Sequence, residues 1–207
     1  MALSAASSTD LVEHKVDSKE LVRGSFLHAK RDTVRLPDGS LAQREYLLHP
    51  GAVMVVAITD SGQVVLERQF RYPLGRVMIE FPAGKLDAGE DPLACAQREL
   101  HEETGYRATA WARAGATHNA IAYSNEIIHL YFAKGLVAGE RQLDAGEFLE
   151  VFTAPPEALL AAVRDGQVTD AKTQFACLWL QNWLSGQWPL QWYSQAELSA
   201  ATATATA

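Results

Sequence analysis

The sequence is poor in cysteine, in positive charge and in long apolar runs, and each shortage closes off a class of protein. Its only cysteines are Cys95 and Cys177. Two thiols without CxxC or zinc-type spacing make neither a disulfide framework nor a structural zinc site. So little cysteine fits a reducing, cytoplasmic setting. Each thiol lies in a helix-like segment, where a small buried apolar role is expected. Lysine and arginine number 18 against 25 aspartates and glutamates, a formal net charge of −7. That balance argues against a nucleic acid or an anionic membrane as principal partner. A small anionic substrate remains compatible, because local cations or a bound metal reverse the field within one cleft. No stretch approaches the apolar length of a membrane span. The start, MALSAASSTDLVEHKVD, lacks the basic opening and apolar run of a signal peptide.

What is present suits one domain with a small appendage: 207 residues, 48% hydrophobic and 21% charged, enough to bury a real core. Residues 1 to about 18 are small and polar and are expected to be poorly ordered. Residues 191–207, ending in ATATATA, read as a frayed tail. GSFLHAKRDTVRL and LAQREYLLH flank the turn signal PDGS, so a two-stranded hairpin is expected within residues 19–49. A hairpin alone is marginal in water and needs something to pack on. Within residues 50–190, strands are expected at 51–59, 63–70, 76–84, 127–136 and 147–154. Asp91, Pro92 and Gly105 mark a helix over 92–104. Further helices are expected over 155–166 and from Asp170 through FACLWLQNWL. Phe175, Leu178, Trp179 and Trp183 sit there at helical spacing, read as core or interface packing. Strands interleaved with few helices predict an α/β fold with a mixed sheet flanked by helices.

The first helix carries the chemistry. Glu99, Glu102 and Glu103 fall within roughly 100° of arc, while Leu93 and Leu100 share an adjoining face. The carboxylates are therefore expected to point together, out of the core. Like charges so close destabilise a helix. Either the face is solvated and Arg98 makes a surface ion pair, or a cation belongs there, since hard oxygen ligands on one face suit Mg²⁺ or Mn²⁺.

The spacing around that helix is Gly84, five residues, Glu90, seven residues, Arg98-Glu99-Leu100, one residue, Glu102-Glu103, one residue, Gly105-Tyr106. It resembles the Nudix box, G-x5-E-x7-R-E-U-x-E-E-x-G-U with U a bulky apolar residue, at every specified position. The stretches RDTVRLPDG, REYLLHPGAV, ERQFRYPLG, IEFPAGKLDAGE and GEFLEVF extend the likeness over residues 24–183 to the ADP-ribose pyrophosphatase branch of Nudix hydrolases. The resemblance implies an α/β/α sandwich plus an N-terminal β-hairpin domain. It also implies a homodimer in which that hairpin is exchanged.

Carried over by position, the resemblance implies Mg²⁺ (or Mn²⁺) on Glu99, Glu103 and the Ala83 carbonyl, with Glu102 direct or through water. Gly84 would let the backbone approach metal or phosphate, and Arg98 would hold a neighbouring glutamate in position. Arg71 would grip the diphosphate, which a guanidinium fork suits. Glu80 would help bind substrate or metal. Glu147 would be the general base, with Asp144 and Glu150 as rivals. Arg44 and Glu45 would contact the nucleoside end, with Phe26, Tyr46 and Tyr72 open as the base-stacking ring.

The implied reaction is hydrolysis of a nucleotide sugar, ADP-ribose first, to AMP and ribose 5-phosphate. One stretch departs from the branch. AIAYSNE (120–126) keeps Glu126, a substrate-side residue, but has Ile121 where the branch carries proline. That keeps GDP-mannose or another nucleotide sugar open as the substrate. A non-catalytic nucleotide-sugar sensor is a further alternative, against which the full set of box carboxylates argues.

Overall fold

The computed structural model describes residues 11–194 and 197. These divide into two units, one of residues up to His49 with Ala120–Glu126, the other of Pro50–Asn119 with the residues from Ile127 onward.

The first unit is an antiparallel sheet of β1 (His14–Arg23), β2 (His28–Arg35) and β3 (Leu41–Leu47), in that order. The expected hairpin is β2–β3. At its turn the Asp38 carboxylate accepts from the Ser40 N–H at 2.9 Å and from the Ser40 hydroxyl at 2.6 Å, and Gly39 supplies the positive φ of 87°. The strand β1 corrects the expectation of a poorly ordered segment through residue 18. All ten of its residues are exposed, so it has no buried face to announce it in the sequence. Backbone pairing from His14↔Arg35 to Arg23↔His28 holds it, with register shifts after Lys15 and Glu20. The 120–126 loop joins this unit through Leu47, whose N–H donates to the Tyr123 carbonyl at 2.8 Å.

The second unit contains, in chain order, β4 (Ala52–Ala57), β5 (Val64–Arg71), β6 (Arg76–Glu80), β7 (Ala83–Lys85), α1 (Pro92–Thr104), β8 (Tyr106–Thr117), β9 (Ile128–Ala138), β10 (Leu149–Ala154), α2 (Pro156–Arg164), α3 (Ala171–Leu184) and β11 (Tyr193–Ser194). One sheet runs β11-β8-β9-β4-β7 and another β10-β5-β6. The β4–β9 pair is parallel and the rest antiparallel, giving the mixed sheet expected. β4 is apolar and buried throughout, and its side chains alternate between two cores. Met54 and Val56 pack with Leu159, Ala176 and Leu180 of α2 and α3. Val53 and Val55 pack with Cys95, Ala96 and Leu100 of α1. The result is an α/β/α sandwich. Both thiols are buried, and burial pushes Cys177 up to about 12.

Three departures have identifiable causes. The segment expected as one strand over 76–84 is two, β6 and β7, in different sheets. Pro82 lies at the break, where a strand can give up a donor. β8, YRATAWARAGAT, went unread because alanine and arginine have little strand preference, yet it pairs with β9 along its length. The chain after 190 is not all tail. Trp192 packs on the core, and Tyr193 pairs with Trp111. The ATATATA end lies outside the described residues. Among the described residues no helix is long and apolar enough to cross a membrane.

Helix α1, which carries the carboxylates, is closed at both ends. Asp91 accepts from Leu93 N at 2.9 Å and Ala94 N at 3.2 Å. Gly105 at φ 77° returns its N–H to the His101 carbonyl at 2.8 Å. Asp91→Ala should therefore cost about 1 kcal/mol and lower Tm by about 2–4 °C. A thermal melt checks this, and an unchanged Tm would dismiss the cap as a contributor.

Candidate active site

Strand alternation places Glu67, Gln69 and Arg71 of β5 on one face. Cross-strand pairing sets Glu80 of β6 opposite Glu67 and Val151 of β10 on its other side. Val65 and Val151 belong to the core beneath α1, so this face of β5 is the one that meets the carboxylate helix. The short strand β7 brings Ala83 and Gly84 to the same helix, pairing Gly84 with Val53 and Ala83 with Met54.

On α1, Arg98 is the hub. Its Nε and Nη2 donate to the two oxygens of Glu90, each at 2.9 Å. Its Nη1 donates to Glu99 at 2.8 Å and Glu102 at 2.9 Å. Arg98 thus bonds three carboxylates at once. Bonding to Arg98 holds the Glu90 carboxyl down to about 2, and the same contacts raise the guanidinium's own pKa.

Glu103 corrects an expectation. It does not point to solvent with its neighbours but is buried, 3% exposed, and accepts from Ala83 N at 3.0 Å. One residue further round the helix than Glu102, it turns under β7 instead of outward. Burial, with the charges of Glu67, Glu99 and Glu147, raises its pKa well above the usual carboxylate value, against the pull of the Ala83 N–H. Burial also raises Glu99, offset in part by Arg98 and reinforced by Glu102 and Glu147.

Gly84 has a spatial reason to be glycine. A Cβ there would lie 1.8 Å from the Glu99 Cδ, so the Glu99 carboxylate occupies the room a side chain would take.

Beside this cluster lies a second set of charges. Glu80, 2% exposed, accepts from Arg71 Nε at 2.7 Å and Nη2 at 2.8 Å and from Lys172 Nζ. Lys172 also bonds Asp170 at 2.9 Å. Burial works to raise Glu80, but the two cations outweigh it and its pKa is lowered. Arg71 therefore holds a carboxylate, with Nη1 not engaged by it.

Lys172 and Glu67 were missed by sequence reasoning. Alternation along ERQFR, with Arg71 already singled out, placed Glu67 on the same face and could have found it. Nothing local marked Lys172. Glu67 is fully buried, neither of its oxygens has a hydrogen-bond partner, and burial and the Glu80 charge push it up to about 8.

Glu147 stands just before β10, not on it. Its carboxylate accepts from Gln69 Nε2 at 3.3 Å, and its charge reaches Glu67, Glu99 and Glu103. Of its rivals, Glu150 pairs with Arg68 at 2.9 Å. Arg44, Glu45 and Glu126 belong to the first unit. There Arg44 grips Glu13 at 2.6 and 2.9 Å, Glu45 accepts from Arg31 Nε at 2.7 Å, and Glu126 lies 3.5 Å from the His49 ring. Of the three aromatics, Tyr46 donates to Asp32 at 2.9 Å and Phe26 stands edge-on to His49. Tyr72, in the second unit, is 86% exposed.

A divalent cation fits this donor set. Glu67, Glu99, Glu103 and Glu147 are neighbouring carboxylates, and both oxygens of Glu67 are orphaned in the interior. Among the described residues no three such side chains are grouped so as to hold a metal ion as they stand. Glu99 and Glu102 are turned toward Arg98, so ligation requires them to swing.

With this geometry in place, the sequence comparisons are specific. Residues 48–175 match the NUDIX domain model, and residues 13–47 match the nucleoside diphosphate sugar hydrolase N-terminal domain. The chain belongs to the NUDIX domain family and is an enzyme of its pyrophosphohydrolase class. Among its relatives, an ADP-ribose pyrophosphatase of Bacillus subtilis is 40% identical over 173 residues, covering 83% of this chain and 94% of that protein. A methanol dehydrogenase activator of Bacillus methanolicus is 39% identical over 173 residues, covering 82% and 92%. A solved structure of an ADP compounds hydrolase superposes with TM-score 0.77 at 23% identity, over 87% of this chain and 98% of that one. That likeness shows the fold.

The carboxylates make stability depend on pH in a stated direction. Glu67, Glu99 and Glu103 keep protons in the native state that the unfolded chain releases above the usual 4.5. The metal-free protein should therefore lose stability as pH rises from 4.5 to about 8. Glu80 and Glu90, both lowered, act oppositely, and their contribution disappears as pH falls below 4.5, for Glu90 through about 2. Melts in chelator should show Tm declining across the neutral range. A Tm that rises there would contradict the buried-carboxylate account.

Proposed function

We propose that this enzyme hydrolyses the diphosphate of a nucleotide sugar with Mg²⁺, ADP-ribose being the leading substrate, cleaved to AMP and ribose 5-phosphate. The observation that carries the reading is Glu99 folded against Gly84 and Glu103 buried beneath Ala83 beside further carboxylates. Without metal such a cluster keeps protons; ionised, it is offset by a cation. The name of the B. subtilis relative, which matches nearly end to end, supports the choice of substrate.

Glu99, Glu103 and the Ala83 carbonyl would hold the ion, with Glu102 direct or through water. Bound there, it would supply charge neutralisation of the diphosphate oxygens and acidify a water. Glu147, held by Gln69 and outside the box, would accept the proton of the attacking water. The water oxygen bonds one phosphorus, the bridging P–O bond breaks, and the bridging oxygen leaves on the other phosphate. Arg71 would carry its free Nη1 to the diphosphate while Glu80 and Lys172 keep its plane fixed. Arg44, Glu45 and Glu126 would serve the nucleoside or sugar end. The exposed Ile121, at 83%, favours a second reading, a different nucleotide sugar such as GDP-mannose, because the loop lacks the fixed φ of a proline.

The protein would act as a homodimer with the N-terminal sheet exchanged. β1 supports this, since Val16, Leu21 and Val22 are exposed on an edge strand, which is an aggregation liability unless another chain covers it.

Product release from ADP-ribose, GDP-mannose, UDP-glucose and NADH, with Mg²⁺ or with chelator, tests the reading. Preference for ADP-ribose with Mg²⁺ is expected, and no metal-dependent turnover on any of them would overturn it. Glu147→Gln should lower kcat by about 10²–10⁴-fold with metal affinity unchanged. Glu103→Gln should lose metal affinity while the metal-free fold keeps or gains stability, because the amide mimics the protonated acid, can still accept from Ala83 N and no longer has to hold a proton against its raised pKa. Sedimentation of the wild type should give a dimer, and Leu21→Lys should shift it toward monomer. A monomeric wild type would remove the exchanged sheet from the account.

A further inference from the structure

Among the described residues of the second unit, Glu67 is the side chain with two buried, unpartnered oxygens. It is 0% exposed, and neither carboxylate oxygen has a hydrogen-bond partner. An ionised carboxylate so placed lacks the compensation that burial demands. A protonated one has a hydroxyl without an acceptor.

The charged groups facing it are Glu80, Lys172, Arg71, Glu147 and Glu103. Both cations are already bonded elsewhere, Arg71 to Glu80 and Lys172 to Glu80 and Asp170. Glu80 stands directly across the strand pair from Glu67, a like-charge pairing that destabilises a sheet. β5 nonetheless keeps a glutamate here, on the face it shares with Gln69, the residue that bonds Glu147.

We infer that Glu67 is a further oxygen ligand of the divalent cation, at the Glu103 end of the carboxylate cluster. The inference rests on the metal-dependent reading above. Glu67 lies outside the box pattern and comes from the ERQFR strand, so the spacing that defines the box does not specify it. A hard divalent cation takes six or more oxygens. Glu99, Glu103 and the Ala83 carbonyl would supply three, and Glu67, on β5, would add a fourth. One ion then answers both orphaned oxygens and the Glu67–Glu103 repulsion. A water molecule would satisfy a hydrogen bond but leave that repulsion in place.

The test is binding of Mn²⁺ alone to the full chain, stripped by chelator and dialysed, with free Mn²⁺ followed by electron paramagnetic resonance. The isosteric Glu67→Gln should weaken Mn²⁺ binding about tenfold or more, or lose an ion from the stoichiometry, while the metal-free protein melts at the same or a higher temperature. Glu67→Asp, which keeps the charge but shortens the reach, should fall between, and it carries the test if the Gln variant does not fold by circular dichroism. Isotherms superimposable on the wild type overturn the inference and leave Glu67 a buried neutral acid, without touching Mg²⁺-dependent hydrolysis by the wild type. A wild type that binds no Mn²⁺ overturns both.

Discussion

One guanidinium organises the site. Arg98 bonds Glu90, Glu99 and Glu102 together, and without it the second half of α1 would carry three glutamates with no positive charge of its own to oppose them. A single Arg–carboxylate pair at a surface contributes little. Three carboxylates on one fork form a network, and an anchored side chain loses less entropy with each added bond. The helix can therefore approach β7 closely enough for Glu99 to fill the space beside Gly84 and for Glu103 to slide beneath Ala83. The burial of Glu103 and its raised pKa follow from that approach.

The fold supplies what the network needs. β4, apolar on both faces, separates two cores and fixes α1 on one side and α2 with α3 on the other. The break at Phe81-Pro82 passes the chain from one sheet to the other, so Glu80 and Ala83, three residues apart, serve different parts of the site. Glu80 anchors Arg71 and Lys172, whereas Ala83 meets the carboxylate helix. The site is thus assembled where the chain crosses from one sheet to the other.

Much of this was legible in the residues. The ends of α1 were readable because Asp91, Pro92 and Gly105 act through their own local geometry. The box residues were readable because their spacing is fixed by one helix and the loop before it. What escaped reading depended on non-local partners. β1 has no buried face, and only its pairing with β2 makes it a strand. β8 is built from residues with weak strand preference and is decided by β9. Glu103 was read as outward-facing because helical arc alone does not say how close β7 comes. Lys172 reaches Glu80 across 92 residues of sequence, and no local pattern could have announced it.

The close approach at Gly84 also bears on how such a site changes over generations. Residue 84 and the Glu99 carboxylate share one volume, so neither position can grow unless the other retreats. This wall is in effect locked, and its residues are poor material for altering which molecule is accepted. Room for divergence lies elsewhere, in exposed elements with little packing to lose, such as the 120–126 loop with Ile121 and the exposed strand β1. A lineage of such proteins would be expected to keep its chemistry while its preferences drift.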